Sequence, residues 1–406
     1  MERNVPKLRF KGFNDEWKEE KLDKLGVFFK GNGISKADLS QQGKPCILYG
    51  ELYTKYSEVI DKVYSKTNLN IKNPTLSKVN DVIIPSSGET SIDIATASCV
   101  QQNDILLGGD LNVFRPNKAS GIFISYQLNS AQRREIAKIA QGASVVHVYN
   151  EQLKKVKVKL PSLQEQERIA NFLTKVDKII EKQDEKVKNL EKYKKGMMQK
   201  IFSQEIRFKD ENGNEYPEWE EKKLKDVVSG FEYGMNSSAI EFDGINKYIR
   251  ITDIDESSNK YRNENIVSPD GILEDKYLVK ENDILFARTG ASVGKTYLYD
   301  KNDGKVYFAG FLIRANVNRN NNSKFIFMQT QTDEYKRWVK IMSMRSGQPG
   351  INSQEYATYN INIPCIEEQN RIAKFLTNID DIIEKENKKL IQMRYLKKGL
   401  LQQMFV

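Results

Sequence analysis

The chain has 406 residues, of which 39% are hydrophobic and 10% aromatic, so it can build the cores of two or three domains and is not a disordered chain. Its 64 Lys and Arg residues outnumber 55 Asp and Glu residues, and the net charge of +9 favours a polyanionic partner, either nucleic acid or an acidic membrane surface. Three scattered cysteines and one histidine, His147, exclude a zinc site with short local ligand spacings and a disulfide framework, and they leave little scope for histidine-based catalysis.

The beginning of the chain, from Met1 to Asn4, lacks the apolar run of a signal peptide. Elsewhere no stretch approaches the roughly 18 uninterrupted apolar residues that a membrane span requires. We therefore expect a soluble, cytoplasmic protein without a membrane partner.

The first 159 residues are predicted to form a mixed domain of strands, turns and a few helices. Residues 78–84 indicate a turn that leads into a buried strand, and residues 145–148 and 156–160 also favour strands. Residues 130–141 are predicted to be helical. The order of the strands does not follow from these patterns.

A long amphipathic helix is predicted next, over residues 160–202. Its apolar side chains recur at intervals of three and four residues, which places them on one face. After Pro161, Ser162 and Glu165 form the S-x-x-E pattern of a capping box, in which each side chain satisfies a backbone N–H at the helix start.

The second half of the chain repeats the first. Residues 363–405 align with residues 160–202 without a gap, at an offset of 203, and the two segments share about 20 identities. Upstream, Trp219 corresponds to Trp17 at an offset of 202. The turn and strand of residues 280–286 correspond to residues 78–84 at the same offset. A second domain helix is predicted over residues 329–342. Between these anchors the copies differ, as expected if one scaffold presents two different surfaces.

Each long helix carries an apolar face that it cannot bury alone, and at about 1.5 Å per residue it extends about 58 Å. We expect the two helices to pack antiparallel about an approximate two-fold axis, as a rod that holds two domains apart. The alternative is that each helix lies on its own domain. The predicted fold is α+β, with two similar mixed α/β domains of twisted sheets separated by an antiparallel coiled coil.

Polar, turn-rich segments carry the candidate nucleic-acid contacts. Their side chains can bond phosphates and base edges, and their glycines allow the backbone to approach closely. An ordinary solvated turn is the alternative for each residue. The candidates are Lys30, Asn32, Ser35, Lys36, Ser86, Ser87 and Thr90 in the first copy, and Tyr233, Asn236, Arg250, Arg288, Thr289, Ser292, Lys295, Arg345 and Gln348 in the second. Residues 141–144 are a looser counterpart of the loop at 345–350.

Two segments imitate catalytic motifs without satisfying them. Only three residues separate Gly290 from Gly294, where a phosphate-binding P-loop needs four. Residues 269–276 resemble a nuclease motif, but they are too short to contain the strands that would bring its carboxylates onto one metal ion. The tetrapeptide and glycine-rich strand turn of adenine methyltransferases do not occur either. We therefore expect no catalytic residue and no metal site in this chain.

The run P-x-x-x-E-Q-x-R-I-A-x-F-L-T, present at residues 161–174 and again at 364–377, resembles the helix motif of type I restriction–modification specificity subunits. The Trp segments, the Asn-Asp strands and the turn at residues 288–295 are also similar to that family, and the resemblance covers essentially the whole chain. In the first copy Ser86 and Glu89 replace the Arg and the small residue of that turn, so a DNA contact by Arg288 does not transfer to the first domain.

The resemblance implies a DNA-binding specificity subunit that is not itself an enzyme. Residues 1–159 and 203–362 would be target-recognition domains, each reading one half of a bipartite site in double-stranded DNA. The helices at 160–202 and 363–406 would set the spacer and dock two methyltransferase subunits. S-adenosylmethionine, ATP and magnesium would belong to the methyltransferase and restriction (motor) subunits, and no cofactor to this chain.

Two other functions remain open at this point. A coiled-coil scaffold with two protein-binding domains would have the same helices and no sequence preference on DNA. A self-contained nuclease or methyltransferase would show turnover by the purified chain, and the missing motifs argue against it.

Overall fold

The computed structural model of the chain describes residues 4–142, 145–256 and 258–406. The chain forms two compact units, one made of Met1–Glu185 and Asn387–Val406 and the other of Lys186–Glu386. Within the described ranges, no helix is long and apolar enough to cross a membrane.

Within its described residues, the first unit contains thirteen strands, with a five-stranded sheet in the order β2-β11-β7-β9-β5 and a four-stranded sheet in the order β10-β4-β6-β3. The strands are β1 (Lys18–Lys21), β2 (Gly26–Lys30), β3 (Leu39–Ser40), β4 (Lys44–Ile47), β5 (Val59–Ile60), β6 (Ser65–Thr67), β7 (Val82–Pro85), β8 (Ser87–Gly88), β9 (Ser98–Val100), β10 (Leu106–Leu107), β11 (Leu111–Pro116), β12 (Val146–His147) and β13 (Lys157–Leu160). The helices are α1 (Ser91–Ile94), α2 (Gly121–Asn129), α3 (Arg133–Ile139), α4 (Asn150–Leu153) and the first part of α5 (Leu163–Phe202).

The second unit repeats this plan with a four-stranded sheet in the order β15-β22-β19-β20 and three two-stranded ladders, β14-β23, β16-β18 and β17-β21. The strands are β14 (Glu220–Lys223), β15 (Val228–Tyr233), β16 (Ala239–Glu241), β17 (Lys247–Ile249), β18 (Val267–Pro269), β19 (Asp283–Ala287), β20 (Thr296–Leu298), β21 (Val306–Phe308), β22 (Leu312–Val317) and β23 (Asn360–Ile363). The helices are α6 (Leu224–Val227), α7 (Ser323–Gln329), α8 (Asp333–Met342), α9 (Ser353–Ala357) and the first part of α10 (Ile366–Met404).

The predicted turns before the buried strands are confirmed in both units. Asn80 and Asn282 adopt left-handed backbone angles, with φ of 81° and 69°, which asparagine tolerates better than most residues. The following Asp81 and Asp283 are buried, and each accepts a bond from the backbone N–H three residues earlier, at 2.8 Å and 2.7 Å. These bonds close the turn at the point where the chain enters strands β7 and β19.

One predicted helix in the second domain is wrong in its boundaries. Residues 329–342 belong to two helices, because α7 ends at Gln329 and α8 begins at Asp333. The break has a local cause, since the hydroxyl of Thr332 accepts a bond from the N–H of Tyr335 at 3.2 Å and caps the start of α8.

The capping box predicted at the start of α5 forms only in part. The N–H of Glu165 donates to the Ser162 hydroxyl at 3.4 Å, but the Glu165 carboxylate pairs with the Arg9 guanidinium through two bonds of 2.8 Å. Glu165 is 1% exposed, so a buried carboxylate takes the charged partner in preference to a neutral backbone N–H. Arg207 pairs with the buried Glu368 in the same way in the second unit.

The glutamine that follows each of these glutamates ties the long helix to a second helix of the same domain. The side-chain oxygens of Gln166 and Gln369 accept from the backbone N–H groups of Ser120 and Asn322, the N-cap residues of α2 and α7, at 3.0 Å and 2.9 Å. Their amide nitrogens donate to the carbonyl groups five residues back, both at 2.9 Å. The Glu-Gln pair of the repeated motif therefore bonds the start of each long helix to its domain.

The two long helices pack antiparallel, as predicted. In the first unit, Lys397 of α10 pairs with Asp177 of α5 at 2.7 Å, and Arg394 pairs with Asp184 at 2.8 Å. Moving forward along one helix thus means moving backward along the other. In the second unit Lys194 pairs with Asp380 at 2.7 Å, which is the Asp177–Lys397 contact shifted by 203 residues.

Each long helix also packs on its own domain, so the contact predicted as an alternative is present together with the helix pair. In the first unit, the core around Trp17 takes Leu173 of α5 together with Phe405, which directly follows the end of α10. In the second unit, the matching core takes Leu376 of α10 together with the end of α5. Part of the apolar face of each long helix is therefore buried in the domain cores.

Candidate nucleic-acid interface

In the second domain, three of the predicted segments meet around Arg288. The guanidinium carbon of Arg288 lies 5.1 Å from the centre of the Tyr233 ring and 5.8 Å from that of Phe311, which are cation–π distances. Its Nε donates to the carbonyl of Gly310 at 2.9 Å. The Tyr233 hydroxyl donates to the Ser353 hydroxyl at 3.1 Å and fixes the ring. Both rings remain exposed, Tyr233 by 44% and Phe311 by 57%.

The loop at residues 345–350 packs on the turn that follows Arg288. Thr289 and Gly350 form a β-bridge, and the N–H of Gly290 donates to the carbonyl of Pro349 at 2.9 Å. Gly290 has a φ of 72°, and a Cβ built there would lie 3.0 Å from the amide nitrogen of Gln348. A glycine therefore lets the loop close over this turn, and it leaves the Gln348 side chain exposed beside Arg288 and Thr289.

The other candidates of the second domain differ in how far their charges are already paired. Arg250 binds Asp253 through two bonds of 2.8 Å and 2.9 Å, and this hydrogen bonding raises the pKa of the Arg250 guanidinium. Arg345 bonds Glu355 and two backbone carbonyls. Lys295 lies 3.7 Å from Glu256. Asn236 is exposed, and Ser292 is half-buried in the turn.

In the first domain, the candidate surface has a different composition. The Lys30 ammonium lies 5.2 Å from the centre of the Tyr149 ring, and the hydroxyl of Ser87 lies 3.1 Å from Nδ1 of His147. These contacts place the ends of β2, β8 and β12 side by side. Residues 143 and 144, which belong to the candidate segment 141–144, lie outside the described residues.

Several first-domain candidates make bonds inside the protein. Asn32 bonds the backbone of Asn73 and Thr75, both at 2.9 Å, and Ser35 bonds Asp38 at 2.6 Å. Thr90 caps α1 through a bond of 3.1 Å from the N–H of Asp93. These side chains hold the shape of their turns.

Ser86 and Ser87 are buried, at 1% and 7% exposure, which argues against a direct base contact by either hydroxyl. Ser86 lies against Asp110, and its N–H donates to the Asp110 carbonyl at 2.7 Å. Lys36 is exposed on a short turn, and within the described part of the chain its ammonium forms no hydrogen bond or ion pair. Lys30 and Lys36 are therefore the cations among the candidate residues of the first domain.

Sequence reasoning missed Tyr149, Phe311 and Ser353, all of which line the surfaces just described. Aromatic residues in strand-rich domains are usually core residues, so Phe311 gave no signal of exposure. Its place directly after Gly310, at the turn between β21 and β22, is the feature that a search for exposed aromatics in turns would have found.

A second candidate surface lies on the long helices. Ile179 and Tyr193 of α5 are 56% and 51% exposed, and Ile382 and Leu396 of α10, at the same positions of the repeat, are 47% and 62% exposed. Apolar side chains are thus left uncovered at the same positions of the repeat in both helices.

Comparison with known proteins identifies one family. The type I restriction modification DNA specificity domain matches this chain twice, over residues 14–192 and 216–393. Among curated proteins, the type I restriction enzyme MjaVIII specificity subunit of Methanocaldococcus jannaschii is 24% identical over 400 residues, covering 88% of this chain and 87% of the relative. The StySPI specificity subunit of Salmonella potsdam is 22% identical and covers 89% of this chain and 81% of the relative.

Among solved structures, the type I restriction–modification S subunit of M. genitalium superposes with a TM-score of 0.63. The alignment covers 99% of each chain at 16% sequence identity, which establishes a shared fold.

Proposed function

Because the chain belongs to the family of type I restriction–modification DNA specificity subunits, we propose that its two domains each read one half of a bipartite DNA site in the cytoplasm. The observation that carries this proposal is a repeated frame with two unlike surfaces. Three features recur in both domains. They are the buried Arg–Glu ion pair, the glutamine that bonds the N-cap residue of a domain helix, and the Asn-Asp turn before a buried strand. The exposed groups do not recur, since Arg288 and two aromatic rings stand in one domain and Lys30 with Tyr149 in the other.

The exposed groups suit DNA. Arginine, lysine and glutamine bond base edges and phosphates, and a net charge of +9 favours association with a polyanion. Binding through phosphate contacts should weaken steeply with salt. Two domains that each make a modest contact gain affinity when they act on one duplex.

The long helices fit two further roles in this proposal. Antiparallel ion pairs join α5 to α10 within each unit, and the paired helices would set the spacer between the half-sites. The exposed apolar residues occur at equal positions on α5 and α10, so the helices offer the same surface twice. A surface present twice would bind two copies of one partner, and we assign it to two methyltransferase subunits.

Chemistry would come from those partners. The methyltransferase subunits would bring S-adenosylmethionine, restriction (motor) subunits would add ATP- and magnesium-dependent cleavage, and this chain would bind no cofactor and catalyse no step. Its own contribution would be the choice of DNA sequence.

Co-expression with its methyltransferase, followed by sequencing of methylated adenines, tests this function. The expected result is one split motif, two short defined halves around an unspecified spacer. Methylation at a continuous motif, or DNA binding without sequence preference, would support a protein-binding scaffold instead. Turnover by the purified chain alone would contradict the division of labour.

A further inference from the structure

We propose that Arg288 is a preorganised guanine reader in the half-site of the second domain, with Tyr233 and Phe311 holding its side chain. This inference rests on the proposed function, since it assigns one base contact within it. The proposed ligand of Arg288 is one particular base, guanine.

The side chain of Arg288 is held in place by neighbouring residues of its own domain. Its guanidinium lies 5.1 Å and 5.8 Å from the ring centres of Tyr233 and Phe311, and its Nε donates to the Gly310 carbonyl at 2.9 Å. Tyr233 is itself held, because its hydroxyl donates to Ser353 Oγ and accepts from the Ser353 N–H at 3.2 Å. An arginine fixed before binding loses little side-chain entropy when DNA arrives.

The outer edge of the Arg288 guanidinium is available to a ligand. Within the described residues its two terminal nitrogens make no hydrogen bond, and no carboxylate pairs with them. The other two arginine candidates differ, since Arg250 is held by Asp253 and Arg345 by Glu355. Of the three, Arg288 alone presents both terminal nitrogens to a ligand.

The surroundings of Arg288 suit a guanine base better than a phosphate. A planar guanidinium edge matches the O6 and N7 acceptors of guanine, which is the commonest specific arginine contact in the major groove. A phosphate would also accept two bonds, but here it would have to sit beside two exposed rings whose faces carry negative charge density. Flat apolar rings suit neighbouring bases better than a phosphate oxygen.

The first domain has no such reader. Ser86 stands at the position aligned with Arg288, and it is buried against Asp110. The inference therefore predicts that this guanine contact exists in one half of the motif only.

The test compares Arg288→Lys with the unaltered chain, each in complex with its methyltransferase, for binding to a duplex randomised over both half-sites. Lysine keeps the charge but cannot present two parallel donors. The expected result is a loss of discrimination of about tenfold to a hundredfold at one G·C pair of one half-site, with the other half unchanged. Arg337→Lys is the matched control, because Arg337 is exposed on α8 and, among the described residues, its side chain bonds the carbonyl of Asp333 alone.

A second variant guards against a folding defect. Phe311→Ala removes a side chain that is 57% exposed, so the core should be unaffected. It should relax the same G·C pair by a smaller factor. Uniform weakening over all positions, or a motif in which neither variant relaxes a G·C pair, would overturn the guanine assignment. If the unaltered complex selects no split motif, the proposed function itself fails before the variants are compared.

Discussion

Two buried carboxylates, Glu165 and Glu368, attach the start of each long helix to the N-terminal segment of its domain. Arg9 binds Glu165 and Arg207 binds Glu368, each with a closest approach of 2.8 Å. Hydrogen bonding to Glu165 raises the pKa of Arg9, so the Arg9 guanidinium stays charged over the whole physiological range. A buried charge is expensive without its partner, and these pairs therefore couple helix and domain strongly.

We expect Arg9→Met to lower the stability of the first unit by about 3 kcal/mol, because Glu165 would remain buried without its counter-charge. Native-state hydrogen exchange of α2 at increasing urea measures the change. Lys138→Met is the matched control, since Lys138 and Glu135 form an exposed pair that should contribute about 0.5 kcal/mol or less. Equal losses from the two variants would contradict the coupling.

The sequence pattern at this position predicted the helix start correctly and the role of its glutamate incorrectly. Ser162 and Glu165 have the spacing of a capping box, which is a local rule. The competing partner, Arg9, lies 156 residues away in the chain, so only the tertiary fold brings it close. The buried Ser86 and the exposed Phe311 escaped sequence reasoning for the same reason, since burial is decided by distant segments.

Among the elements, the two long helices were predicted with most success, because about forty residues of regular apolar spacing outweigh local ambiguity. Helix α2 was not predicted at all. Most of its residues are buried, so it lacks the alternation of polar and apolar faces on which the prediction depends. The break between α7 and α8 was missed because it depends on a single Thr cap.

The repeat offers an internal control for the contact between the long helices. Lys397 pairs with both Glu58 and Asp177, which are 13% and 11% exposed, whereas Lys194 pairs with Asp380, which is 39% exposed. We expect Lys397→Met to cost about 3 kcal/mol and Lys194→Met about 1 kcal/mol, because the first removes the counter-charge of the buried Asp177 and of the half-buried Glu58. Urea unfolding monitored by hydrogen exchange of α5 measures both. A larger loss from Lys194→Met would contradict this account.

The contribution of Lys397 has a defined pH range. Burial disfavours its charge, but attraction by Glu58 and Asp177 prevails and raises the pKa of Lys397 above 10.5. The folded chain thus holds this proton more tightly than the unfolded chain. The stabilisation is complete below about pH 10.5 and is lost as the pH rises through the higher folded value. The stability difference between the Lys397→Met variant and the unaltered chain should therefore be constant from pH 6 to pH 9.

The proposed role of the helices as a spacer is tested by lengthening both at equivalent points. One heptad after Val187 and another after Leu390, both buried residues of the helix pair, would preserve the apolar face. Seven residues add about 10.5 Å, so the unspecified spacer of the methylated motif should grow by about three base pairs. A single heptad in α5 alone should abolish methylation. An unchanged spacer in the doubly lengthened chain would reject the proposed role.

For the whole molecule, the duplication was the most informative feature of the sequence. It predicted two similar domains, the antiparallel helix pair and two different surfaces, because an offset of 203 residues is maintained over the entire helix motif. Strand order and the loops were beyond reach, since long-range pairing has no local sequence pattern. The contacts of the individual candidate residues with DNA remain predictions.

Independent reading of one half-site by each domain is tested by exchanging residues 1–159 for the corresponding domain of another specificity subunit. The donor should carry an Arg equivalent to Arg9 and an N-cap equivalent to Ser120, so that the contacts to Glu165 and Gln166 survive. Methylated adenines are then mapped in cells that also express the methyltransferase. We predict that one half of the motif changes while the other half stays as before. A change in both halves, or in neither, would contradict the account.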